Sequence, residues 1–486
     1  MQGCLNTPLK TQRMKRSIST GFIILFCLLS SAGRGEGYKI KVKITGLKDT
    51  VCHLANHYGD KQYITDSARV DDNGVFTFEG KEPLAGGIYL VVVPSRNYFE
   101  IVIDKEQKFS VETSLDSLTQ HAVFTGSNDN NLFNAYQRFM ITKQKESVLM
   151  RERYNSSVAD EDSAQYYKGR LTEIDDEVMA FRNKLVAENP GSFVAKLITT
   201  MDEPDIPEVP VDSNGKPDSG YVFRYYKEHF LDNVDFSDAR LLRTPLLQQK
   251  IHTYINNLTV QMPDSIMVSC DTIIERSRGN KEVFKYTVVT LTNQYETSKI
   301  MGFDAVFVHL AQKYYMSNDA YWADSTLKAK IADRVYKITG NILGKQAYNL
   351  AMWDTSGAMK NLKDVKAKYT VVYFWDPTCG HCKTETPKLV ALYDSIKVHN
   401  VAVYAVGIES DPELWKAYIR DHKLHWINVS DLYNVTGFRN HYDIYSTPVV
   451  YLLDEKKNII AKRISVDTLR EMLTDLIEKE QKKKPE

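Results

Sequence analysis

At 486 residues the chain is too long for a single compact core, so two or three domains are expected, each with its own apolar interior. Lys plus Arg number 62 and Asp plus Glu 62, which leaves no net positive charge to hold polyphosphate and argues against nucleic acid as a partner. The run Lys482-Lys483-Lys484 reads as a solvated tail after a helix.

Near the N-terminus, Lys15 and Arg16 precede the apolar stretch Phe22 to Leu29, and Ser30, Ser31, Ala32 and Gly33 follow it. A basic region, an apolar core and small residues make residues 1–32 a secretory signal peptide, with Met14 as an alternative start and cleavage near Ala32. Phe22 to Leu29 spans about 12 Å as a helix against about 30 Å of bilayer hydrocarbon, too short for a permanent anchor. Cys27 lies within that apolar core and follows Phe26, where a lipoprotein signal carries a small residue. It reads as part of the signal, and membrane association through a lipid is the alternative.

Residues 38–125 carry a period of two. Ile40, Val42 and Ile44 alternate with Lys39, Lys41 and Lys43, one buried and one wet face of a strand. Strand-like runs recur at Val75 to Phe78, Ile88 to Val93, Phe99 to Ile103 and Phe109 to Val111. The turn signals Asp71-Asp72-Asn73-Gly74 and Gly86-Gly87 separate them, which predicts a small antiparallel β-sandwich. Across 126–340 the spacing becomes helical: Leu132, Phe133, Tyr136 and Phe139, then Ile174, Val178, Phe181 and Leu185. Met201 to Gly220, rich in proline, reads as a loop within this α-helical middle region. From 344 to 481 strands alternate with helices. Tyr369 to Trp375 and Val401 to Ile408 are buried-strand runs, a helix starts at the cysteines after Pro377, and Val449 to Leu453 with Ile459 to Ile464 form a hairpin before a closing helix. This order predicts an α/β sheet domain.

Of the cysteines, Cys4 and Cys27 leave with the signal, and only Cys379 and Cys382 among the others lie close together. Outside the cytosol disulfides form and persist, so this pair is the candidate redox centre. Two intervening residues at a helix start put both sulfurs on one turn, within disulfide reach. The unpaired N–H groups and positive dipole end of the helix stabilise a thiolate on Cys379, below the free value of about 8.5. Cys379 then attacks a substrate disulfide and Cys382 resolves the mixed disulfide. A zinc ribbon needs a second close pair, whereas Cys52 and Cys270 are isolated. Haem attachment needs His after the second cysteine, where Lys383 stands. A thiol peroxidase needs Thr three residues before its cysteine, where Asp376 stands. His422, His425 and His441 have no ligand spacing, and no metal or other cofactor is expected.

The segment Trp375-Asp376-Pro377-Thr378-Cys379-Gly380-His381-Cys382 with Tyr445-Ser446-Thr447-Pro448 resembles the thioredoxin superfamily, and the lead-in Ala347 to Val365 is similar to its exported TlpA/ResA branch. The order of sandwich, helical region and thioredoxin-like domain resembles exported proteins of the Bacteroidetes, which implies the periplasm or cell envelope of a Gram-negative bacterium. The resemblance implies that Thr447-Pro448 is the cis-proline beside the sulfurs, with the Thr447 backbone free to pair with a substrate strand. It also implies that Glu385 exchanges a proton with the second thiol. Completing the dipole at the first helical turns is the other role for that carboxylate. Tyr373 stands where many thioredoxins carry a buried acid, and Pro387 matches the branch's helix-kinking proline. Trp375 is expected to pack beside the site and limit solvent access.

His381 departs from the Pro usual in that branch. As an imidazolium it favours the Cys379 thiolate and a more oxidising couple, whereas the lead-in and Glu385 point to a reductase. The expected function is disulfide exchange with protein or peptide thiols, together with an unidentified redox partner. The alternative is an envelope protein that binds a partner through its first two domains and carries an accessory redox domain.

Overall fold

The computed structural model describes residues 37–157, 160–211 and 213–482; the expected signal peptide lies outside the described residues. Eight strands come first: β1 (Lys39–Thr45), β2 (Val51–Tyr58), β3 (Lys61–Arg69), β4 (Val75–Glu79), β5 (Gly87–Val92), β6 (Tyr98–Ile103), β7 (Lys108–Ser114) and β8 (Val123–Thr125). They form two four-stranded sheets, ordered β4-β1-β7-β8 and β3-β2-β5-β6. Ile40, Val42 and Ile44 are fully buried and share one apolar cluster with Leu54, Val91 and Ile101 of the other sheet, so the two layers are a sandwich.

Two features differ from the expected antiparallel pattern. β1 and β7 pair in parallel, with Ile40 opposite Phe109, because the chain passes through the second sheet before β7 returns beside β1. β2 and β3 occupy a stretch in which the sequence suggests no strand. β3 is exposed along most of its length on both faces, so no alternation marks it.

Helices α1 (Asn128–Ser156) and α2 (Glu161–Glu188) form a long antiparallel hairpin in which Phe139 stacks on Phe181 at 4.0 Å. The Ser127 hydroxyl caps α1 by accepting from the Asn130 N–H. Asn130 in turn accepts from the Val102 N–H at 2.9 Å and donates to its carbonyl at 2.8 Å, tying the hairpin to β6. α3 (Phe193–Met201), α4 (Tyr221–His229), α5 (Pro245–Asn256), α6 (Pro263–Arg276), α7 (Lys281–Glu296), α8 (Asp304–Leu310) and α9 (Ser325–Thr339) follow. Their apolar faces meet in a cluster that also takes Ile88 and Val102 from the sandwich. α5 and α6 begin on Pro, whose missing N–H costs nothing in the first turn.

The last region contains β9 (Ala351–Asp354), β10 (Met359–Asn361), β11 (Tyr369–Trp375), α10 (Gly380–Ile396), β12 (Val401–Gly407), α11 (Pro412–Asp421), β13 (Ile427–Ser430), α12 (Phe438–His441), β14 (Val449–Leu453), β15 (Ile459–Lys462) and α13 (Val466–Gln481). Its seven strands are ordered β10-β9-β13-β12-β11-β14-β15. β11 lies inside the sheet, parallel to β12 and antiparallel to β14, and every one of its residues is buried. The reason is a covered sheet: one apolar cluster joins β11 to α10, α11 and α13, and a second lies on the opposite face with Phe438 and Tyr442. This places the start of α10 at the C-terminal end of β11, an interior strand of the sheet. The molecule thus combines a β-rich N-terminal region, a helical middle and a C-terminal α/β sheet.

Candidate redox site

The turn from β11 into α10 is built by short-range contacts. The Asp376 carboxylate accepts from the Thr378 N–H at 2.7 Å and from its hydroxyl at 2.6 Å, and the Cys379 N–H donates to the Asp376 carbonyl at 3.2 Å. Cys379 is the N-cap residue of α10, with extended backbone, and is half-buried; Cys382, one turn on, is fully buried. Both are free thiols.

Their environments separate the two sulfurs. Burial alone would raise the Cys379 pKa, but hydrogen bonds from the Cys382 N–H, the Thr447 side chain, the Cys382 thiol and the His381 N–H outweigh it and hold this thiol below its ordinary value. Burial pushes Cys382 up to about 12, although the Asp376 N–H donates to its Sγ at 3.4 Å. One thiol is therefore ready to ionise while its neighbour keeps its proton.

The Thr447–Pro448 peptide bond is cis, and the Thr447 carbonyl accepts from Cys379 Sγ at 3.3 Å. Cys379 and Thr447, 68 residues apart, thus meet at one point. Trp375 is fully buried with its ring 4.9 Å from that of Tyr418, and it shares one apolar cluster with Cys382. His381 is exposed on the first turn of α10. Glu385 uses both carboxylate oxygens elsewhere: Oε2 accepts from the Val466 N–H at 3.2 Å, and Oε1 pairs with Lys388 at 2.9 Å. It joins α10 to the N-terminus of α13.

Thr386 is a neighbour that the sequence reading passes over. Fully buried, it shares a 2.9 Å hydrogen bond with the Tyr373 hydroxyl, whose pKa is raised by burial. A neutral hydroxyl pair therefore stands beside Cys382. The signal was available as i, i+4 spacing from Cys382 on one helix face. The remaining cysteines are remote from this chemistry. Cys52 lies in the sandwich core, pushed up to about 11 by burial, and Cys270 in the helical core, also pushed up by burial. Among the described residues no group of three or more His, Cys, Asp or Glu could hold a metal ion.

A dithiol on the first turn of a helix that follows a central strand, facing a cis-proline, defines a thioredoxin-like domain of the thiol-disulfide oxidoreductase class. Comparison with known proteins agrees. Residues 343–462 match the AhpC/TSA family; residues 38–133 and 180–341 match two models described as domains of unknown function, DUF4369 and DUF5106. The thiol-disulfide oxidoreductase ResA of Bacillus cereus is 26% identical over 137 residues, 28% of this chain and 78% of that protein. The thioredoxin-like protein YneN of Bacillus subtilis is 28% identical over 131 residues, 26% of this chain and 75% of that protein. Among solved structures, a domain of a possible thiol-disulfide isomerase from Cytophaga hutchinsonii is 48% identical, covering 29% of this chain and 97% of that one, with a TM-score of 0.28. A thioredoxin-like protein from Bacteroides caccae is 19% identical, covering 56% of this chain and 98% of that one, with a TM-score of 0.45. Among the described residues no helix is long and apolar enough to cross a membrane.

Proposed function

We propose that the chain is exported to the periplasm or cell envelope and exchanges disulfides with protein or peptide substrates through Cys379 and Cys382. In this reading residues 1–32 are a signal peptide, 38–125 a sandwich domain, 126–340 a helical domain and 344–481 the redox domain. The observation that carries it is the placing of Cys379 at the N-cap of α10, its Sγ 3.3 Å from the Thr447 carbonyl beside the cis-proline and one turn before the fully buried Cys382. Reduction of a substrate begins when the Cys379 thiolate attacks one sulfur of the substrate disulfide. That S–S bond breaks, one substrate thiolate leaves and takes up a proton, and a mixed disulfide forms. Cys382 then loses its proton and attacks the Cys379 sulfur, which releases the second substrate thiol. Two electrons have moved to the substrate, and Cys379 and Cys382 are joined. Oxidation of a dithiol is the reverse.

Thr447 presents its backbone to the substrate strand beside the attacking sulfur. His381, exposed next to Cys379, tunes the couple toward oxidation, and Trp375 keeps water from the buried side. Proton exchange between Glu385 and Cys382 competes with the contacts of the carboxylate to the Val466 N–H and Lys388. Glu385→Gln tests that role, since a true proton carrier slows resolution at Cys382 well beyond any loss of stability. The overall reading is tested by reduction of a peptide disulfide and by the equilibrium potential of the couple. Cys379→Ser should remove activity; a potential near –270 mV marks a reductase and one near –120 to –180 mV an oxidase or isomerase. Activity that persists without Cys379 would overturn the reading.

A further inference from the structure

The helical region reaches the redox site through Arg334. Its guanidinium projects from α9 onto the segment between α12 and β14. There it pairs with Asp443 and lies over the Tyr445 ring at 5.6 Å from its centre, with one nitrogen 3.5 Å from the Tyr445 hydroxyl. The Asp443 side chain is only 4% exposed and binds a second guanidinium, that of Arg463, which also donates to the Asp443 carbonyl. Arg463 is anchored in its own sheet, since its N–H donates to the Val450 carbonyl of β14 at 2.7 Å. One buried carboxylate is thus gripped from two sides, by the sheet and by the helical region.

The backbone agrees with a held segment. Asp443 has φ 52° and Arg463 φ 55°, a left-handed conformation that residues with a side chain adopt where their surroundings impose it. A second tie lies one residue before Arg463. Lys462, with its side chain 4% exposed, pairs with Asp304 of α8 and donates to the Asn341 carbonyl at 2.7 Å. Asn341 donates to the His441 carbonyl at 3.3 Å at the end of α12. These contacts converge on the stretch that ends at Thr447, whose carbonyl receives Cys379 Sγ.

We infer that Arg334 is a positioning residue for the redox site: through Asp443 it fixes the loop that offers Thr447 and the exposed Tyr445 to a polypeptide carrying the substrate disulfide. The inference rests on the reading of Thr447 as a substrate contact. A peptide needs the backbone of Thr447 in one place to pair with it. A small disulfide needs only the Cys379 thiolate, which keeps the N–H groups of Cys382 and His381 from α10 even where the contribution of Thr447 is weakened. The helical region therefore governs the use of polypeptide disulfides more than the reactivity of the thiol.

The test uses the full-length chain and compares Arg334→Met and Arg334→Lys with the unaltered protein in two reactions. One is turnover of insulin disulfides; the other is reaction of the reduced pair with 5,5′-dithiobis(2-nitrobenzoate), with the folded fraction followed by thermal melting. Arg334→Met should lower kcat/KM for insulin by about fivefold or more, mainly through KM, and change the small-disulfide rate by less than about twofold. Arg334→Lys keeps the charge but loses the fork, so it should fall between. If Arg334→Met does not fold, the lysine variant decides alone, by a selective loss with insulin or its absence. Parallel losses in both reactions, or none in either, would overturn the proposal. A different failure, an unaltered chain that turns over neither substrate or a Cys379→Ser variant that turns over both, would remove the underlying reading instead.

Discussion

The sandwich and the C-terminal sheet each hold a cysteine at β-structure, yet only in the second is a thiol held below its ordinary pKa. Cys52 sits on β2 between two sheets, surrounded by side chains whose backbone donors are already spent on strand pairing, and burial pushes its pKa up to about 11. Cys379 lies where β11 ends and α10 begins, so the N–H groups of the first helical turn have no carbonyl to bind and turn to sulfur. The helical region repeats the first case at Cys270, deep in a core with its thiol raised. Unspent N–H donors at a partly open position, set against burial without enough of them, separate a reactive thiol from an inert one.

The largest effect tests this contrast directly. Cys379→Ser should reduce disulfide exchange to the uncatalysed rate, while Cys52→Ala and Cys270→Ala leave the rate per folded molecule unchanged; a comparable loss in either alanine variant would break the comparison. The second test is a pH profile of alkylation by iodoacetamide, with the modified sites mapped by mass spectrometry. A depressed folded-state pKa means that Cys379 labelling climbs as pH rises through a midpoint below the ordinary thiol value, then levels off. Cys382, raised to about 12, and Cys52, raised to about 11, should stay unlabelled across that range in the native protein. Early labelling of Cys382 would contradict the division between the two sulfurs.

A smaller effect concerns the packing beneath the site. A Cβ on Gly407, at the end of β12, would meet Trp415 Nε1 at 2.3 Å, in a rigid ring at a fully buried position. Gly407→Ala should cost about 1–3 kcal/mol by overpacking, read from denaturant unfolding followed by tryptophan fluorescence. Unaltered stability would show that this ring has room to move. The smallest change expected is that of His381→Pro, which should lower the reduction potential by tens of millivolts, where about 30 mV corresponds to 1.4 kcal/mol. A potential that does not move would remove His381 as the tuning residue.

Much of the redox site was legible because its parts are local. The buried run of β11, the break at Pro377 and the cysteine spacing lie within a few residues of one another, and strand, turn and helix start are all short-range decisions. Thr386 shares a helix face with Cys382 but went unread, since that spacing acquires a meaning only when Tyr373 is placed opposite its hydroxyl. The role assigned to Glu385 met a complication of the same kind. Its spacing from Cys382 is a property of the chain, but Val466, which its carboxylate caps, is 81 residues away. In the sandwich, β1 was readable because one face is dry and the other wet. β3 was not, because water reaches both of its faces and removes the alternation that burial imposes.

By itself, the sequence determined the order of β-rich, helical and α/β regions and the place of a dithiol at a helix start, because periodicity and helix capping act over a few residues. Only the tertiary structure decided that Thr447 meets Cys379, that β1 and β7 run in parallel, and that Arg334 grips Asp443 across 109 residues of chain. Such contacts are selected by how whole layers pack, and a buried charge finds its partner only when packing has left it one place to be.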